Sequence, residues 1–401
     1  MLFRSDRSRA DGAVLAGPGW RGYGNRVYGV YVHIPWCRLR CPYCAFTIAV
    51  DASPPHRAYT DAVIREWGRR AASFEGRPSS VYFGGGTPSL APPAEIARIL
   101  AALAPLPDAE VSLEANPGAL AAPLAEFRDA GVTRLSLGVQ SFDPWVARRL
   151  GRGHTSDDAR ALVESAQSTG FRSVSFDLMF AVPGQTVERF SADVDAILEL
   201  RPDHVSLYGL TIEPGTAFAR AKRPAVDDDT WRAMYDLVVE RLDDGGIHRY
   251  EVSNFARPGH RSVHNEHYWR ARPWAGLGVG AHGWLPDRTR TENVTDIGAY
   301  LEAADPSVQL ERPAPAALAT EILWSTLRHI EGVDRVHLRA LTGLDLVVPT
   351  DLLRAGLLVE EGPCIRLTTP GFPVADAITV ALARTLAPTG PLLPGPQGCE
   401  Q

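Results

Sequence analysis

The chain has 401 residues, 45% hydrophobic and 22% charged, with a formal net charge of −6 at pH 7. That is length for more than one average domain and the composition of an ordinary globular protein. The acidic balance, with no long basic stripe, argues against a nucleic-acid partner. No apolar run approaches the roughly 20 residues needed to cross a bilayer.

Residues 1–27 carry several Arg and Gly but no continuous apolar stretch, and read as a disordered leader rather than a secretory signal. Tyr28–Ile34 then has the pattern of a buried first strand. Further strands are expected at Ser80–Phe83, Glu110–Glu114, Arg134–Val139, Ser173–Phe180, Asp203–Tyr208 and Arg249–Val252. Helical spacing marks Arg57–Ala72, Pro92–Leu103, Asp157–Thr169, Val187–Leu200 and Thr230–Leu242 between them. Such alternation implies an α/β fold of parallel βαβ units with right-handed crossovers. A doubly wound sheet and a barrel both satisfy it. A partial (β/α)6 barrel over residues 28–255 is preferred, because every motif below lies at or just after a strand end.

Residues 256–312 are expected to follow the barrel as a separate segment. From 313 to 386 the pattern changes, with helices expected near Thr320–His329, Asp334–Leu341, Pro349–Arg354 and Pro373–Arg384. A hairpin is expected within Leu357–Leu367, turning at Glu361–Pro363. Together they suggest a small helical, winged-helix-like C-terminal domain that, lacking a basic recognition face, serves as a lid or docking module. Residues 387–401, rich in Pro and Gly, read as a disordered tail.

Three of the five cysteines fall in one stretch, Cys37-Arg-Leu-Arg-Cys41-Pro-Tyr-Cys44, directly after the first strand. Three thiolates so spaced can converge on one soft metal centre. A structural zinc normally takes four ligands, and His33 is the available fourth. A [4Fe–4S] cube on three thiolates instead leaves one iron open, and that reading is preferred, since Phe46 occupies the next ligand position. Few, unevenly placed cysteines fit a reducing cytoplasm.

Other motifs mark later strand ends. Gly84-Gly85-Gly86-Thr87-Pro88 is either a tight turn or a stretch that admits a ligand to exposed backbone N–H groups. Glu114 ends one strand just before Asn116-Pro117. Gln140 ends another and can present donor and acceptor together. Arg152 can clamp a carboxylate, and Asp177 suits ribose hydroxyls. Further on, His264-Asn-Glu-His267-Tyr268-Trp269 offers imidazole, phenol and a flat apolar face, as a heme contact would. The bland alternative is that His264 and His267 only form hydrogen bonds within the protein. Five of the chain's eleven histidines fall between His248 and His282.

Tyr31-Val-His-Ile-Pro-Trp-Cys37-Arg-Leu-Arg-Cys41-Pro-Tyr-Cys44 resembles the cluster-binding loop of the radical S-adenosylmethionine (SAM) superfamily. Within it, the chain is similar to the branch holding oxygen-independent coproporphyrinogen III oxidase (HemN) and the heme chaperones (HemW). The resemblance implies that Cys37, Cys41 and Cys44 hold a [4Fe–4S] cluster. It also implies that Tyr31, Gly85, Gly86, Thr87, Glu114, Gln140, Arg152 and Asp177 contact SAM. A reduced cluster would give one electron to the sulfonium, releasing methionine and a 5′-deoxyadenosyl radical. The oxidase has a fourth cysteine two positions after the third, where this chain has Phe46, as the chaperones do; their usual Asp at the preceding position is Ala45 here. His264-Asn-x-x-Tyr268-Trp269 matches a motif linked to heme in the chaperones, with His264, His267 and Tyr268 as the contacts it implies.

The expected function is therefore a cytoplasmic heme chaperone that passes its cargo to acceptor hemoproteins, with an electron donor for the cluster and a homodimer left open. The enzymatic alternative is oxidative decarboxylation of coproporphyrinogen III in porphyrin biosynthesis. A third reading is a radical SAM enzyme acting on another substrate.

Overall fold

The computed structural model describes residues 27–388. The expected leader, but for Val27, and all but the first two residues of the expected tail lie outside the described residues. Six strands follow one another as parallel neighbours: β1 (Gly29–Ile34), β2 (Ser80–Gly85), β3 (Glu110–Ala115), β4 (Arg134–Gln140), β5 (Ser173–Phe180) and β6 (His204–Gly209). Two short strands, β7 (His248–Arg249) and β8 (Asn254–Ala256), fold back antiparallel at the β6 edge. They stand where a single strand was expected over Arg249–Val252.

The other edge corrects the expected boundary at 256. A seventh parallel strand, β9 (Trp274–Leu277), pairs with β1, and β10 (His282–Trp284), β11 (Arg290–Asn293) and β12 (Ser307–Glu311) extend the sheet antiparallel. The segment placed after the barrel is thus part of its sheet, in the order β12-β11-β10-β9-β1-β2-β3-β4-β5-β6-β8-β7. Short length, glycines and polar residues such as Arg290–Asn293 conceal these strands from apolar periodicity.

Alternation inside the strands decides what each face does. Val81, Phe83, Leu113, Leu135, Leu137, Phe176, Val205 and Leu207 are all buried and pack with helical residues such as Val63, Ile96, Phe127, Val163 and Val194. The positions between them are polar: Tyr31, Tyr82, Ser112, Glu114, Ser136, Ser175, Asp177 and Ser206. Since successive side chains point to opposite faces, these line the inside of the partial barrel. Register sets them side by side, with Tyr31 opposite Tyr82, Glu114 opposite Ser136 and Asp177 opposite Ser206. The helices α1 (His56–Arg70), α2 (Pro93–Leu103), α3 (Leu124–Asp129), α4 (Pro144–Arg149), α5 (Ser156–Thr169), α6 (Val187–Leu200) and α7 (Asp228–Asp244) fall between successive strands. Thr155 opens α5 with a capping box to Asp158.

A second core gathers Leu318, Ile322, Leu323, Leu338, Ile365 and Leu382 from the C-terminal region. Its helices include Pro315–Thr326, Arg335–Thr342 and Ala375–Ala383, and its hairpin pairs Leu358–Glu361 with Cys364–Leu367, beside Val333–Asp334. The first helix starts five residues before the expected Thr320, because Pro315 at its opening turn starts a helix rather than breaking one. This unit is tied to the sheet by Val252 N–H to the Arg328 carbonyl and Ile330 N–H to the Tyr250 carbonyl, both at 3.0 Å. Ala387–Pro388, expected in the tail, pair with Leu344–Asp345.

Candidate functional site

The loop after β1 carries Cys37, Cys41 and Cys44, all half-buried free thiols. Burial pushes the Cys37 thiol up, and the neighbouring Cys44 and Cys41 add to that. Thr87 Oγ1 donates to Cys37 Sγ at 3.5 Å, and Arg152 Nη1 approaches Cys41 Sγ at 3.6 Å. Arg152 Nη2 also donates to the Gly138 carbonyl at 2.7 Å and to Asn116 Oδ1, whereas its buried Nε has no partner among the described residues. His33 does not join the thiols. Its Nε2 bonds the Thr47 carbonyl at 2.7 Å and its Nδ1 the Tyr31 hydroxyl at 3.1 Å, which leaves no nitrogen for the zinc alternative.

Of the two readings of the glycine stretch, its backbone bonds favour the turn. Its N–H groups are not open to an anion: Gly85 donates to Glu114 Oε2 at 3.1 Å, Gly86 to the Ile34 carbonyl at 2.9 Å and Thr87 to the Trp36 carbonyl at 2.8 Å. The missing side chains make room for protein. A Cβ on Gly85, at φ +110°, would lie 2.4 Å from the His33 ring, and one on Gly86 2.6 Å from the Pro35 backbone. Glycine here lets the cluster loop cross the end of β2 at backbone contact.

Deeper in, Glu114 accepts from Tyr82 Oη at 2.9 Å, and Asp177 accepts from Ser136 Oγ at 2.8 Å. Glu114 is pushed up to about 7, first by burial and then by the charge of Asp177. Burial likewise raises Asp177 to about 6. Two neighbouring acids, each costly to ionise alone, form a site that favours a cation. Gln140 closes β4 at φ +67°, a strained conformation for a residue with a side chain. The turn after it is held by Asp193, which accepts from Ser141 Oγ and Phe142 N–H at 2.6 Å and Asp143 N–H at 3.0 Å.

The histidine motif forms helix α8 (Val263–Trp269), started by the Ser262 side chain. It is set against the beginnings of the strands, at Ser79, Ser80 and Glu110. His264 Nδ1 bonds Ser80 Oγ at 2.9 Å and its Nε2 bonds Tyr268 Oη at 2.7 Å. His267 Nε2 bonds Ser79 Oγ at 3.0 Å. Both imidazoles are buried; His264 lies well below the usual histidine range, and burial pushes His267 down to about 3. Iron ligation by His264 would break one of these bonds, which is the bland reading made physical. Of the three expected heme contacts, Tyr268 lines a cavity, and His264 and His267 do not.

That cavity has a volume of about 450 Å³, and its walls include Tyr31, Gly85, Glu114, Phe46, Tyr268, Trp274 and His282. Asn116, Asp193, Phe46, Trp274 and His282 were not among the expected site residues. Asn116 lies within the quoted Glu114-Ala-Asn116-Pro stretch, and the others depend on contacts between segments distant in sequence.

Residues 31–197 match the family model described as the radical SAM superfamily. A protein of Escherichia coli (strain K12) named heme chaperone HemW is 35% identical over 362 residues, covering 85% of this chain and 94% of the relative. The chain belongs to the HemW family of radical SAM proteins. A HemW of Mycobacterium tuberculosis (strain H37Rv) is 37% identical over 91% of this chain and 97% of its own. A mouse relative, radical S-adenosyl methionine domain-containing protein 1, mitochondrial, is 36% identical over 88% of this chain and 86% of its own. Among solved structures, the E. coli coproporphyrinogen III oxidase HemN superposes with a TM-score of 0.75 at 24% identity, covering 89% of each chain, which shows a common fold. For a HemW-family chain, the cysteine loop fits a [4Fe–4S] cube. Its three thiols are free, a guanidinium and a hydroxyl point at two of them, and a cube needs each sulfur on a different iron rather than all around one ion.

Proposed function

We propose that this protein is a heme chaperone: it holds a [4Fe–4S] cluster on Cys37, Cys41 and Cys44, binds SAM beside it, and carries heme to acceptor hemoproteins in the cytoplasm. The observation that carries this reading is identity of 35–37% over nearly the full length of proteins named heme chaperone HemW. Phe46, 70% exposed beside the cavity, stands where the oxidase-type pattern has its fourth cysteine. Among the described residues no helix is long and apolar enough to cross a membrane.

In this reading Glu114 and Asp177 receive the cationic groups of SAM, and Arg152 its carboxylate. The cluster, when bound and reduced by an electron donor, supplies one electron to the sulfonium. The chain's own residues orient the ligand: Asn116 and Gly138 fix the Arg152 fork, Tyr82 and Gly85 fix the Glu114 carboxylate, and Ser136 fixes Asp177.

The test is an anaerobic heme titration of the reconstituted protein, with coproporphyrinogen III turnover assayed in the same preparation. Stable heme binding without decarboxylation is expected. Decarboxylation would replace the chaperone with the oxidase, and SAM cleavage with neither would leave a radical SAM enzyme of another substrate.

A further inference from the structure

If heme is the cargo, its iron needs a ligand, and the histidine motif does not offer one freely. The imidazoles of His264 and His267 are interior groups bonded to Ser80, Tyr268 and Ser79. His267 Nδ1 lacks a partner among the described residues, but it is buried and is not part of the cavity wall; His282 is both open and on that wall. It opens β10, its side chain is exposed, it lines the 450 Å³ cavity, and no hydrogen bond to its ring occurs among the described residues.

Its backbone, by contrast, is held firmly. The Trp274 indole N–H donates to the His282 carbonyl at 3.0 Å. A Cβ on Gly276 would fall 2.0 Å from that same oxygen, and one on Gly283 would fall 2.6 Å from Thr291 Oγ1. These two glycines allow β9, β10 and β11 to approach this closely. His282 is also paired in register with Glu292 of β11, which places a carboxylate across from the imidazole. A ligating histidine commonly gives its second N–H to such a group.

The cavity has a polar part, Tyr31, Gly85 and Glu114, given to SAM above, and an aromatic part that suits a flat macrocycle. Trp274 and Phe46 line the same cavity, and Phe46 is the most exposed aromatic residue on the cysteine loop. An unpaired imidazole on a firmly held backbone, on one cavity wall with two aromatic residues, is the donor set of a heme site.

We propose that His282 supplies the axial nitrogen to the heme iron, with Trp274 and Phe46 contacting the porphyrin. This rests on the chaperone reading above. Coordination donates the neutral imidazole lone pair to ferric iron and displaces a weakly held water or chloride; no electron is transferred and no other bond is made.

The experiment titrates ferric heme into full-length reconstituted protein and into His282→Ala. Ligation is read by the Soret band and by electron paramagnetic resonance, with the cluster in its oxidised, diamagnetic state. The native protein is expected to give a nitrogen-ligated ferric heme. His282→Ala is expected to lose that signature and to bind heme at least about tenfold more weakly, with free imidazole restoring the signature and the iron–sulfur content unchanged. Phe46→Ala should weaken binding while keeping the native ligation signature. A His282→Ala complex spectroscopically identical to the native one would overturn the assignment while leaving heme binding intact. Failure of the native protein itself to retain heme would overturn the chaperone reading, and this proposal with it.

Discussion

The two ends of the partial barrel both carry polar groups and use them differently. At the beginnings of the strands, Glu110 and Arg134 form a buried pair at 3.7 Å. Glu110 also accepts from His264 N–H at 3.1 Å, and Arg134 donates to Ser173 Oγ at 2.9 Å and the His260 carbonyl at 3.0 Å. The His264 ring joins Ser80 to Tyr268. At the strand ends, three thiols lack mutual bonds, two acids lie above their usual range, a guanidinium nitrogen is unpartnered and an imidazole stands open. Ionisable residues alone do not mark a site. Unpartnered atoms occur at both ends, Arg134 Nη2 and His267 Nδ1 included; what marks the strand ends is raised acids, free thiols and a guanidinium brought beside one another.

The largest expected effects test this division. Cys41→Ala should abolish cluster assembly, seen as loss of iron and sulfide after anaerobic reconstitution, without preventing folding. Full iron retention would contradict the assignment. At the other end, Glu110→Ala should cost about 3–5 kcal/mol of stability, because it strands the buried Arg134 charge; denaturant unfolding of the cluster-free protein measures it. A loss within error of zero would show that end to be less interlocked than its geometry indicates.

Arg152→Ala should weaken SAM binding by about tenfold or more, as for loss of a charge-assisted contact worth about 1.5–3 kcal/mol. Equilibrium binding to the reconstituted protein checks it, and unchanged affinity would remove the carboxylate role. A subtler effect concerns pH. Glu114 near 7 is mostly protonated at pH 6 and anionic at pH 8, so affinity for the cationic ligand should rise by up to about tenfold across that interval. Glu114→Gln should flatten most of that rise, with Asp177 supplying the remainder at the acid end. Because folding raises this pKa, Glu114 favours the unliganded fold below its ordinary 4.5, and that contribution is lost as pH rises through about 7. A native profile that is flat or falls with pH would contradict the role of Glu114.

Much of the strand-end region was legible, and the reason is local. Cys37, Cys41 and Cys44 lie in one loop, while Glu114 and Asp177 lie on core strands whose pattern is regular. The strands Glu110–Ala115, Arg134–Gln140, Ser173–Phe180 and His204–Gly209 also share a Ser flanked by apolar residues. That repeat could have identified the inward face. The return of Trp274–Leu277 beside β1 was hidden, since four residues ending near glycines give no periodic signal. With it went the position of His282. The histidine motif stayed open between two readings because sequence counts imidazoles but does not show their hydrogen bonds. The glycine stretch stayed open because small residues admit a neighbouring loop as readily as a ligand.

The most direct test of the open cluster iron is electron paramagnetic resonance of the reduced, reconstituted protein before and after SAM is added. If three thiolates hold the cluster, one iron would be left open to SAM, so the account predicts a clear change in the cluster signal in the native protein. It predicts a much smaller change in Arg152→Ala at equal SAM. A native signal unaltered by saturating SAM would contradict the three-thiolate site and the SAM pocket built around it.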